Sequence, residues 1–451
     1  MAIIDREPID PAETAVGQPP EHPTLIPASR YTDPAFFALE HERLWPSVWQ
    51  IACSLDHVSR PGDWFELRSG PLSVLIVRGD DGALRAFQNV CRHRGNSLCQ
   101  GAGSGLTELR CPFHRWAWDL RGALREVPSR RGFGAFRNED LPLLPVQVGE
   151  WGPLVFVSLD PDAVPLEDWL EGVPADAAWA RLDELRCVAT TRTSVPCNWK
   201  AVADGFSETY HVQGLHPEML GSIDDVHAPQ RFWGRHAVSY QRYAVPSPRL
   251  GPGVGDQEVW DSFIRTQGGR MGPDYAEPCP MPPVPEGEGV RDVIAALLRE
   301  HQRQFGADMS DFDTEAMLGL AQYNLFPNVT VLLWSEMVNV LIARPGPTVD
   351  QAELVSFLLL RHHADAPRTP PMDFPVPPEG DLGWVLNQDV SILRTIQAGL
   401  RQPGLTHLVL SNEERRIINM HRNLEAALGI TPSEIGALEG PSVTAPRLRS
   451  R

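Results

Sequence analysis

Two pairs of cysteine and histidine stand close together in the first third of the chain. Cys91 and His93 form one pair, Cys111 and His114 form the other, and seventeen residues separate the pairs. Two thiolates and two imidazoles are a ligand set for a [2Fe–2S] cluster, and imidazoles on one iron raise its reduction potential relative to four thiolates. The residue types and spacing therefore predict a site that passes single electrons.

A zinc site is the main alternative for the same four residues. Structural zinc sites typically pair two cysteines roughly two to four residues apart with two histidines roughly three to five residues apart. Here each pair contains one cysteine and one histidine, which favours the cluster. The chain has seven cysteines, an odd number, and this favours metal binding in a reducing compartment over a disulfide framework.

A second group of histidines and carboxylates follows about a hundred residues later, in the run DGFSETYHVQGLHP. A mononuclear Fe(II) oxygenase needs two neutral imidazoles and one carboxylate on one face of the metal, with the other positions open. His211 and His216 are five residues apart, whereas one helix face favours spacings of three or four. We therefore predict a helix that ends near Gly214 and holds His216 just past its end, before Pro217.

The third ligand must be a carboxylate from a distant part of the chain. Asp389 is the best candidate, because it stands near the start of the helical pattern LGWVLNQDVSILRTIQAGL and a helix is a rigid platform. A carboxylate near a helix N-terminus is also favoured by the helix dipole without any metal. Asp381 and Glu379 are competing candidates.

The chain is long enough for two domains, with 451 residues and a hydrophobic fraction of 42%. Residues 1–45 are predicted to form an arm and a short helix. Short β-rich runs separated by Gly and Pro turns predict an all-β domain over residues 46–160, which contains both Cys/His pairs. Mixed helical and strand patterns predict an α+β domain over residues 161–440, with a long surface excursion or lid over residues 245–289.

Composition excludes several classes of partner. The net charge of −18 argues against nucleic acid, whose phosphates require a basic face. No stretch approaches the roughly 20 apolar residues of a membrane span. The N-terminus has no basic start and no apolar core, so it does not read as a signal peptide, and the default expectation is a cytoplasmic protein.

The runs NVCRHRG, CPFHRWAWDLRG and NWK…DGFSETYHVQGLHP resemble those of Rieske non-haem iron oxygenases, specifically the large (alpha) subunits of the aromatic-ring-hydroxylating dioxygenase family. The resemblance extends from about residue 35 to 430, and the spacing from Asp389 to Gln397 is similar to a late family motif. It implies one cluster iron on Cys91 and Cys111 and the other on His93 and His114. It further implies that the mononuclear iron is held by His211, His216 and Asp389.

In the family, a carboxylate at the position of Glu208 does not bind iron. It links the mononuclear site to the cluster of a neighbouring subunit, through the histidine that corresponds to His114. This chain departs from the common pattern, with Glu208 where many members have Asp, Gly205 where Asn is frequent and Asp204 where Glu is usual. Some members that attack quaternary ammonium groups also carry Glu at the position of Glu208.

The resemblance implies an α+β fold, in which an all-β Rieske domain precedes a catalytic domain with an antiparallel sheet gripped by helices. The implied activity is hydroxylation of an aromatic or hydrophobic substrate with O2; the alternatives are a monooxygenase for quaternary ammonium or N-/O-methyl substrates and a pure electron-transfer protein. No G-x-G-x-x-G dinucleotide motif occurs, so a separate NAD(P)H-dependent reductase or ferredoxin is implied. The family also suggests a homotrimer, with or without a β subunit.

Apolar residues near the motifs are candidate walls of a substrate pocket. They are Phe206, Val212, Tyr323 and Phe326, with Met219 and Trp334 as further candidates. Core packing is an equally good interpretation for most of them. Arg231 and Arg235 are candidates for binding a substrate carboxylate, and an aromatic cage for a quaternary ammonium is a further option.

Overall fold

The computed structural model describes residues 24–378 and 380–430. Residues 1–23 of the predicted N-terminal arm lie outside these ranges, and so does Glu379. The described part begins with strand β1 (Thr24–Pro27), helices α1 (Ser29–Thr32) and α2 (Pro34–Leu39), and a π-helical turn over Glu40–Leu44. Helix α2 is capped by Asp33, whose side chain accepts a hydrogen bond from the Ala35 N–H at 2.8 Å.

Residues 50–158 form the β-rich part of the chain. Its strands are β2 (Gln50–Ser54), β3 (Trp64–Ser69), β4 (Leu72–Arg78), β5 (Leu84–Gln88), β6 (Ala102–Gly103), β7 (Leu109–Arg110), β8 (Ala117–Trp118), β9 (Leu124–Glu126), β10 (Pro145–Trp151) and β11 (Leu154–Ser158). Seven of them form an antiparallel sheet in the order β2-β11-β10-β5-β4-β3-β6, and β7-β8-β9 form a second, smaller sheet. The smaller sheet positions the second Cys/His pair and the larger one leads into the first.

A large sheet dominates the rest of the chain. Its strands are β12 (Leu185–Val195), β13 (Ile223–Asp224), β14 (Gln230–Trp233), β15 (His236–Tyr243), β16 (Gly319–Leu325), β17 (Val329–Leu333), β18 (Met337–Pro345), β19 (Ala352–Arg361) and β20 (Met372–Pro375). The path runs β13-β15-β16-β17-β18-β19-β12-β20, with β14 added beside β15. All pairings are antiparallel except β12 with β20. Strand β21 (His407–Leu410) instead pairs with β1.

Helices flank this sheet and position the second histidine group. They are α3 (Leu166–Trp169), α4 (Val173–Asp176), α5 (Trp199–Gly205), α6 (Val212–Leu215), α7 (Asp256–Gln267), α8 (Val290–Arg303), α9 (Thr314–Met317), α10 (Trp384–Leu400) and α11 (Arg415–Leu428). Together with the β-rich part, this arrangement confirms the α+β prediction. The predicted domain boundaries, 46–160 and 161–440, stay a prediction.

The prediction of an excursion or lid over residues 245–289 was wrong in part. Helix α7 lies inside this range and buries Val259, Trp260, Phe263 and Ile264 in an apolar cluster that also holds residues of α8. The spacing of these four residues is that of one helix face. The density of Pro and Gly on either side of the helix concealed this pattern in the sequence.

Candidate metal centres

Two loops of matching backbone geometry carry the first four candidate ligands. In one loop the Cys91 N–H donates to the Asn96 carbonyl at 2.8 Å, and the Cys91 carbonyl accepts from the Gly95 N–H at 3.0 Å. In the other, the Cys111 N–H donates to the Trp116 carbonyl at 2.8 Å, and the Cys111 carbonyl accepts from the Arg115 N–H at 3.1 Å. The chain therefore builds the same turn twice, once around each cysteine.

The fourth residue after each cysteine has a left-handed backbone. Gly95 has φ 78° and Arg115 has φ 66°. Glycine adopts this region without cost, whereas a residue with a Cβ is strained in it. A glycine such as Gly95 is a turn signal in a sequence, whereas an arginine such as Arg115 gives no such signal.

Burial separates the thiols from the imidazoles. Cys91 and Cys111 are 4% and 1% exposed, while His93 and His114 are half-buried, with ring centroids 4.7 Å apart. The His93 ring is stacked on Trp116 at 5.2 Å. Two inner thiolates and two outer imidazoles on adjacent loops fit a cluster whose histidine-bound iron faces outward.

The second group converges on one point. His216 Nε2 lies 2.8 Å from Asp389 Oδ1, and His211 Nε2 lies 3.8 Å from the same oxygen. Ligand atoms of these three residues all lie within 4.8 Å of one another. Two imidazoles and one carboxylate so arranged are the donor set of a mononuclear Fe(II) oxygenase site. Asp381, a competing candidate, instead is exposed and bonds the Gly383 N–H and Asn387.

Both imidazoles of this triad (His211, His216 and Asp389) are oriented by a second hydrogen bond. His211 Nδ1 lies 2.6 Å from Glu208 Oε1, and His216 Nδ1 lies 2.6 Å from Gln388 Oε1. Because each Nδ1–H is donated outward, each neutral ring presents its Nε2 lone pair toward Asp389. The triad thus fits a divalent metal ion. Gln388 was not predicted, although it is the sequence neighbour of Asp389.

Glu208 holds His211 by two contacts. Its second oxygen accepts from the His211 backbone N–H at 2.9 Å. Burial alone would lower the pKa of His211, but the hydrogen bond to Glu208 and the charges of Glu208 and Asp389 outweigh it and raise that pKa. A metal ion at this site must therefore displace a proton more firmly held than on a free histidine.

The local folds that carry the triad are short. Helix α6 runs between the two histidines, with His211 before its first residue and His216 at its C-cap. His216 thus lies just past a helix end, as predicted. Helix α10 carries Asp389 in its second turn, and two turns later Gln397 accepts from the Asn198 N–H at 2.9 Å and donates to Asp350 at 2.7 Å. These bonds fix α10 against the N-terminus of α5.

A cavity of about 240 Å³ adjoins the triad; we call it the site cavity. Its apolar walls include Phe206, Leu215, Ile392, Leu393, Ile396 and Ile417. Its charged and titratable residues are Tyr31, Asp204, Glu208, His211, Asp389 and Glu414. Among the described residues that line it, none is lysine or arginine.

The predicted substrate residues separate into two groups. Phe206 lines the site cavity. The others lie in apolar cores: Val212, Met219 and Trp334 in the α7–α8 cluster, and Tyr323 and Phe326 in the main core. The Tyr323 hydroxyl donates to Asp176 at 2.7 Å, away from this cavity. Core packing is therefore the interpretation that the structure favours for these residues.

The predicted carboxylate-binding arginines are also engaged elsewhere. Arg231 pairs with Asp176 at 2.9 Å and Arg235 with Glu171 at 3.0 Å. Neither lines the site cavity. Each guanidinium already has a carboxylate partner, so neither is free for a substrate carboxylate.

A hydrogen-bonded chain behind the site cavity was not predicted. Arg30, which can only donate, contacts His421 Nδ1 at 3.0 Å, so His421 donates from Nε2 to the Tyr31 hydroxyl at 2.7 Å. Tyr31 in turn donates to Asp204 Oδ2 at 2.6 Å. Nothing in the sequence linked these residues, because Tyr31 and His421 are 390 positions apart.

Asp204 is the titratable end of this chain. Burial raises its pKa to about 7 against the hydrogen bond from Tyr31 and the charge of Lys200, while Glu414 and Glu208 raise it further. Its Oδ1 atom is buried and has no hydrogen-bond partner among the described residues. The folded protein therefore binds a proton at Asp204 more tightly than the unfolded chain does.

We expect Asp204→Asn to become more stable than the wild type as the pH rises. The protonated carboxyl stabilises the fold fully below the unfolded pKa of 3.8, and this contribution is lost as the pH rises to about 7. Thermal unfolding of both proteins at pH 5 and pH 8 measures the difference, which should be larger at pH 8. An equal difference at both values would contradict the assignment.

Asp381→Asn is the control, because its effect on stability should have the opposite sign near neutral pH. Hydrogen bonds from the Gly383 N–H and Asn387 lower the pKa of this carboxyl. Its contribution is present above the unfolded pKa and lost toward acid, so the amide variant should be slightly less stable than the wild type near neutral pH.

Comparison with known families decides the identity of both centres. The family model for the Rieske [2Fe-2S] domain matches residues 48–143. The model for the ring hydroxylating alpha subunit (catalytic domain) matches residues 182–430, more than half of the chain. The chain belongs to the ring-hydroxylating alpha-subunit family. The resemblance inferred from the motifs is thereby confirmed, and so are the [2Fe–2S] cluster and the mononuclear iron as cofactors of its two domains. The zinc alternative is set aside.

Two curated proteins similar to this Rieske oxygenase family member are named for carnitine and for glycine betaine. The carnitine monooxygenase oxygenase subunit of Escherichia coli (strain K12) is 33% identical over 234 residues, which is 51% of this chain and 61% of that protein. The glycine betaine monooxygenase oxygenase subunit of Chromohalobacter salexigens is 33% identical over 211 residues, 46% of each chain. The chain thus spans about three fifths of the first relative and less than half of the second.

A solved structure confirms the fold over almost the whole chain. The quaternary ammonium Rieske monooxygenase CntA in complex with L-carnitine superposes with a TM-score of 0.63 at 19% identity, covering 94% of this chain and 99% of that one. At this identity the likeness shows the fold alone.

Within residues 24–378 and 380–430, no helix is both long and apolar enough to cross a membrane.

Proposed function

We propose that this protein is the oxygenase component of a Rieske monooxygenase that hydroxylates a quaternary ammonium substrate. One observation carries the proposal: the triad opens onto a small apolar cavity whose charged side chains include several carboxylates. Two relatives named for carnitine and glycine betaine support the same substrate class. Glu208, at a position where many family members have Asp, agrees with it.

The charge of the site cavity favours a cation. Asp204, Glu208 and Glu414 line it together with Asp389, and no lysine or arginine does so among the described lining residues. Burial raises the pKa of Asp204 to about 7, and a bound cation would favour its ionised form. Carboxylates held near apolar walls attract an alkylated cation, because its charge gains Coulomb energy while its methyl groups lose contact with water. An anionic group alone would be repelled.

The size of the site cavity favours a compact molecule. Its volume of about 240 Å³ lies below the roughly 300–1,000 Å³ of sites for drug-sized ligands. A trimethylammonium compound is more compact than a polycyclic aromatic. Hydroxylation of an aromatic or hydrophobic substrate, the first expectation from the sequence, is the second candidate, because most lining residues of the cavity are apolar.

In this proposal the two centres have separate tasks. Cys91, His93, Cys111 and His114 hold the cluster, and His211, His216 and Asp389 hold the mononuclear iron. The iron, when bound, supplies the site at which O2 is reduced and the substrate carbon is oxidised. Electrons from an NAD(P)H-dependent reductase or ferredoxin enter at the cluster and pass from His114 of one subunit to Glu208 of its neighbour, which requires an oligomer.

The chain's own residues set the conditions for this chemistry. Glu208 accepts a hydrogen bond from the Nδ1–H of His211, and Gln388 accepts one from the Nδ1–H of His216. These bonds hold both imidazole rings in one orientation. The apolar walls of the site cavity exclude bulk water from the reacting carbon. The balance is R–CH2–N⁺Me3 + O2 + 2e⁻ + 2H⁺ → R–CH(OH)–N⁺Me3 + H2O, after which the C–N bond breaks to give an aldehyde and trimethylammonium.

Substrate-dependent O2 uptake tests the proposal. The purified oxygenase would be assayed with a surrogate reductase on carnitine, glycine betaine and choline, and with 3,3-dimethylbutanol, the uncharged tert-butyl analogue of choline. We expect uptake and amine release with at least one cation, and neither with the neutral analogue. Coupled turnover of naphthalene or benzoate instead would favour the second candidate. Absence of any substrate-dependent uptake would leave an electron-transfer protein.

Glu208→Gln is expected to retain both metal centres and to slow turnover about 10–100-fold, the usual cost of losing a residue that orients a metal ligand. The amide keeps the length of the side chain but removes the charge beside His211. Rapid mixing of the reduced protein with O2 and substrate would follow reoxidation of the cluster by its visible absorbance. Unchanged reoxidation would remove Glu208 from the electron path.

A further inference from the structure

Arg416 of helix α11 is a buried cation that contacts only neutral groups. The residue is 2% exposed. Its guanidinium donates to Asn324 Oδ1 at 2.6 Å, and to the Gln322 carbonyl and Gln322 Oε1 at 3.4 Å each. Its Nε has no partner, and no carboxylate lies within ion-pair distance among residues 24–378 and 380–430.

An unpaired buried guanidinium is costly. Buried charges in proteins are ordinarily paired, because moving an ion out of water costs several kcal/mol. Arg361 pairs with Glu184 and Arg30 pairs with Glu425, whereas Arg186 lacks a carboxylate partner but donates to four backbone carbonyls. Burial lowers the pKa of Arg416 to about 9, which leaves it charged at neutral pH. A fold that retains this charge points to a role beyond packing.

Hydrogen bonds connect Arg416 to the turn that carries Glu208. Asn324, which accepts from Arg416, donates to the Ser207 hydroxyl and to the Phe206 carbonyl at 3.1 Å each. Gln322 donates to the same Phe206 carbonyl at 2.6 Å. Strand β16 therefore forms a polar platform between α11 and the residues that immediately precede Glu208.

The positive charge of Arg416 also acts on Glu208. Burial lowers the pKa of Arg416, and the negative charge of Glu208 acts in the opposite direction. Glu208 already uses both oxygens on His211, so it does not contact Arg416 directly. Arg416 thus acts on the Glu208–His211 pair through space and through the platform.

We propose that Arg416 is a positioning residue for electron delivery, whose fixed positive charge favours transfer of an electron past the Glu208–His211 pair to the iron that His211 would hold. The inference rests on the proposed function, because it assumes that Glu208 carries the electron path. A buried cation near a redox centre raises its reduction potential, since the added electron meets a positive charge in a medium of low dielectric constant. A loss of the charge should therefore slow the transfer and lower the potential.

Two variants separate the charge of Arg416 from its hydrogen bonds. Arg416→Gln removes the charge and keeps a polar side chain, and Arg416→Lys keeps the charge but loses the guanidinium geometry. Asn324→Asp is a second way to cancel the charge, because it sets a carboxylate against the guanidinium, and it serves if Arg416→Gln does not fold. Arg235→Gln is the control, since Arg235 lines the same small cavity as Arg416 but is paired with Glu171.

The first measurement needs no substrate. A redox titration of the iron-loaded wild type and variants, followed by the electron paramagnetic resonance of the ferric mononuclear site, gives its potential. We expect a lower potential in Arg416→Gln and Asn324→Asp, and values close to wild type in Arg416→Lys and Arg235→Gln. Equal shifts in Arg416→Gln and Arg416→Lys, or no shift in Arg416→Gln and Asn324→Asp, would overturn the proposal.

The second measurement is cluster reoxidation in a single turnover with a substrate that supports O2 uptake. Arg416→Gln should slow it about tenfold or more, with unchanged iron content and cluster spectrum, and Arg416→Lys should restore most of the rate. If the cluster of Arg416→Gln were reoxidised as fast as that of the wild type, the inference would be overturned. Failure of the proposed function appears differently: no quaternary ammonium compound would support reoxidation of the wild-type cluster by O2. The redox titration still tests Arg416 in that case.

Discussion

Asp389→Ala is expected to lose the mononuclear iron and to reduce substrate-dependent O2 uptake by at least about a thousandfold, because a catalytic metal supplies several kcal/mol of stabilisation. Asp389 is the carboxylate that lies within 4 Å of both imidazoles of the triad. Without it, two neutral rings remain to hold a divalent cation. Iron analysis and the visible spectrum of the cluster would be measured together on the same sample.

Asp381→Asn is the matched control for this variant. Asp381 is an aspartate three residues before the first residue of α10, and it competes with Asp389 when only the sequence is considered. In the structure it is exposed and its oxygen bonds Gly383 and Asn387. The control should keep its iron and most of its activity. Loss of iron in Asp381→Asn with retention in Asp389→Ala would reverse the ligand assignment.

Lys200→Met is expected to destabilise the fold by about 3–5 kcal/mol, because it leaves one partner of a buried ion pair uncompensated. Lys200, the one lysine of the sequence, lies 2.5 Å from Glu40, and both side chains are 0% exposed. Glu40 also accepts from Trp199 Nε1 at 3.0 Å. Thermal or urea unfolding of the purified variant would measure the loss.

Two further variants give this prediction its control. Arg303→Met removes an exposed pair with Glu300, whose side chains are 70% and 62% exposed, and should change stability by less than about 1 kcal/mol. Lys200→Met combined with Glu40→Leu removes both buried charges and should recover part of the loss. A double variant as unstable as the sum of the two single variants would show that the pair is not coupled.

The pair also matters for the site. It joins the π-helical turn of the N-terminal segment to helix α5, whose last turn contains Asp204 and leads into Glu208. Tyr31 from the same N-terminal segment bonds Asp204. The residues before the β-rich domain are therefore part of the wall behind the site cavity, and a weakened Lys200–Glu40 contact should loosen that wall.

The sequence by itself determined the ligand types and their local spacing. A Cys-x-His and a Cys-x-x-His motif, and two histidines around a short helix, are local patterns, and local patterns fix the turns that present them. It also determined the fold class, because the β-rich and the mixed regions differ in periodicity and turn residues. The position of Asp389 near the start of a long helix could be read for the same reason.

Only the tertiary structure decided which distant residues meet. Tyr31 and Asp204, and Arg416 and Asn324, are brought together by packing of elements far apart in the chain, and no local pattern records such pairs. The contact of His216 with Asp389 was predicted because the spacing from Asp389 to Gln397 resembles a family motif. Tertiary packing also decides which apolar residues line the site cavity. Tyr323 and Phe326 have apolar rings that suit a pocket or a core equally, and the packing of the large sheet places them in the core. The residue types and their local spacing are visible in the sequence. Which of these residues contact one another, and whether a side chain lies in the core or in the site cavity, depends on how the sheet and its helices pack.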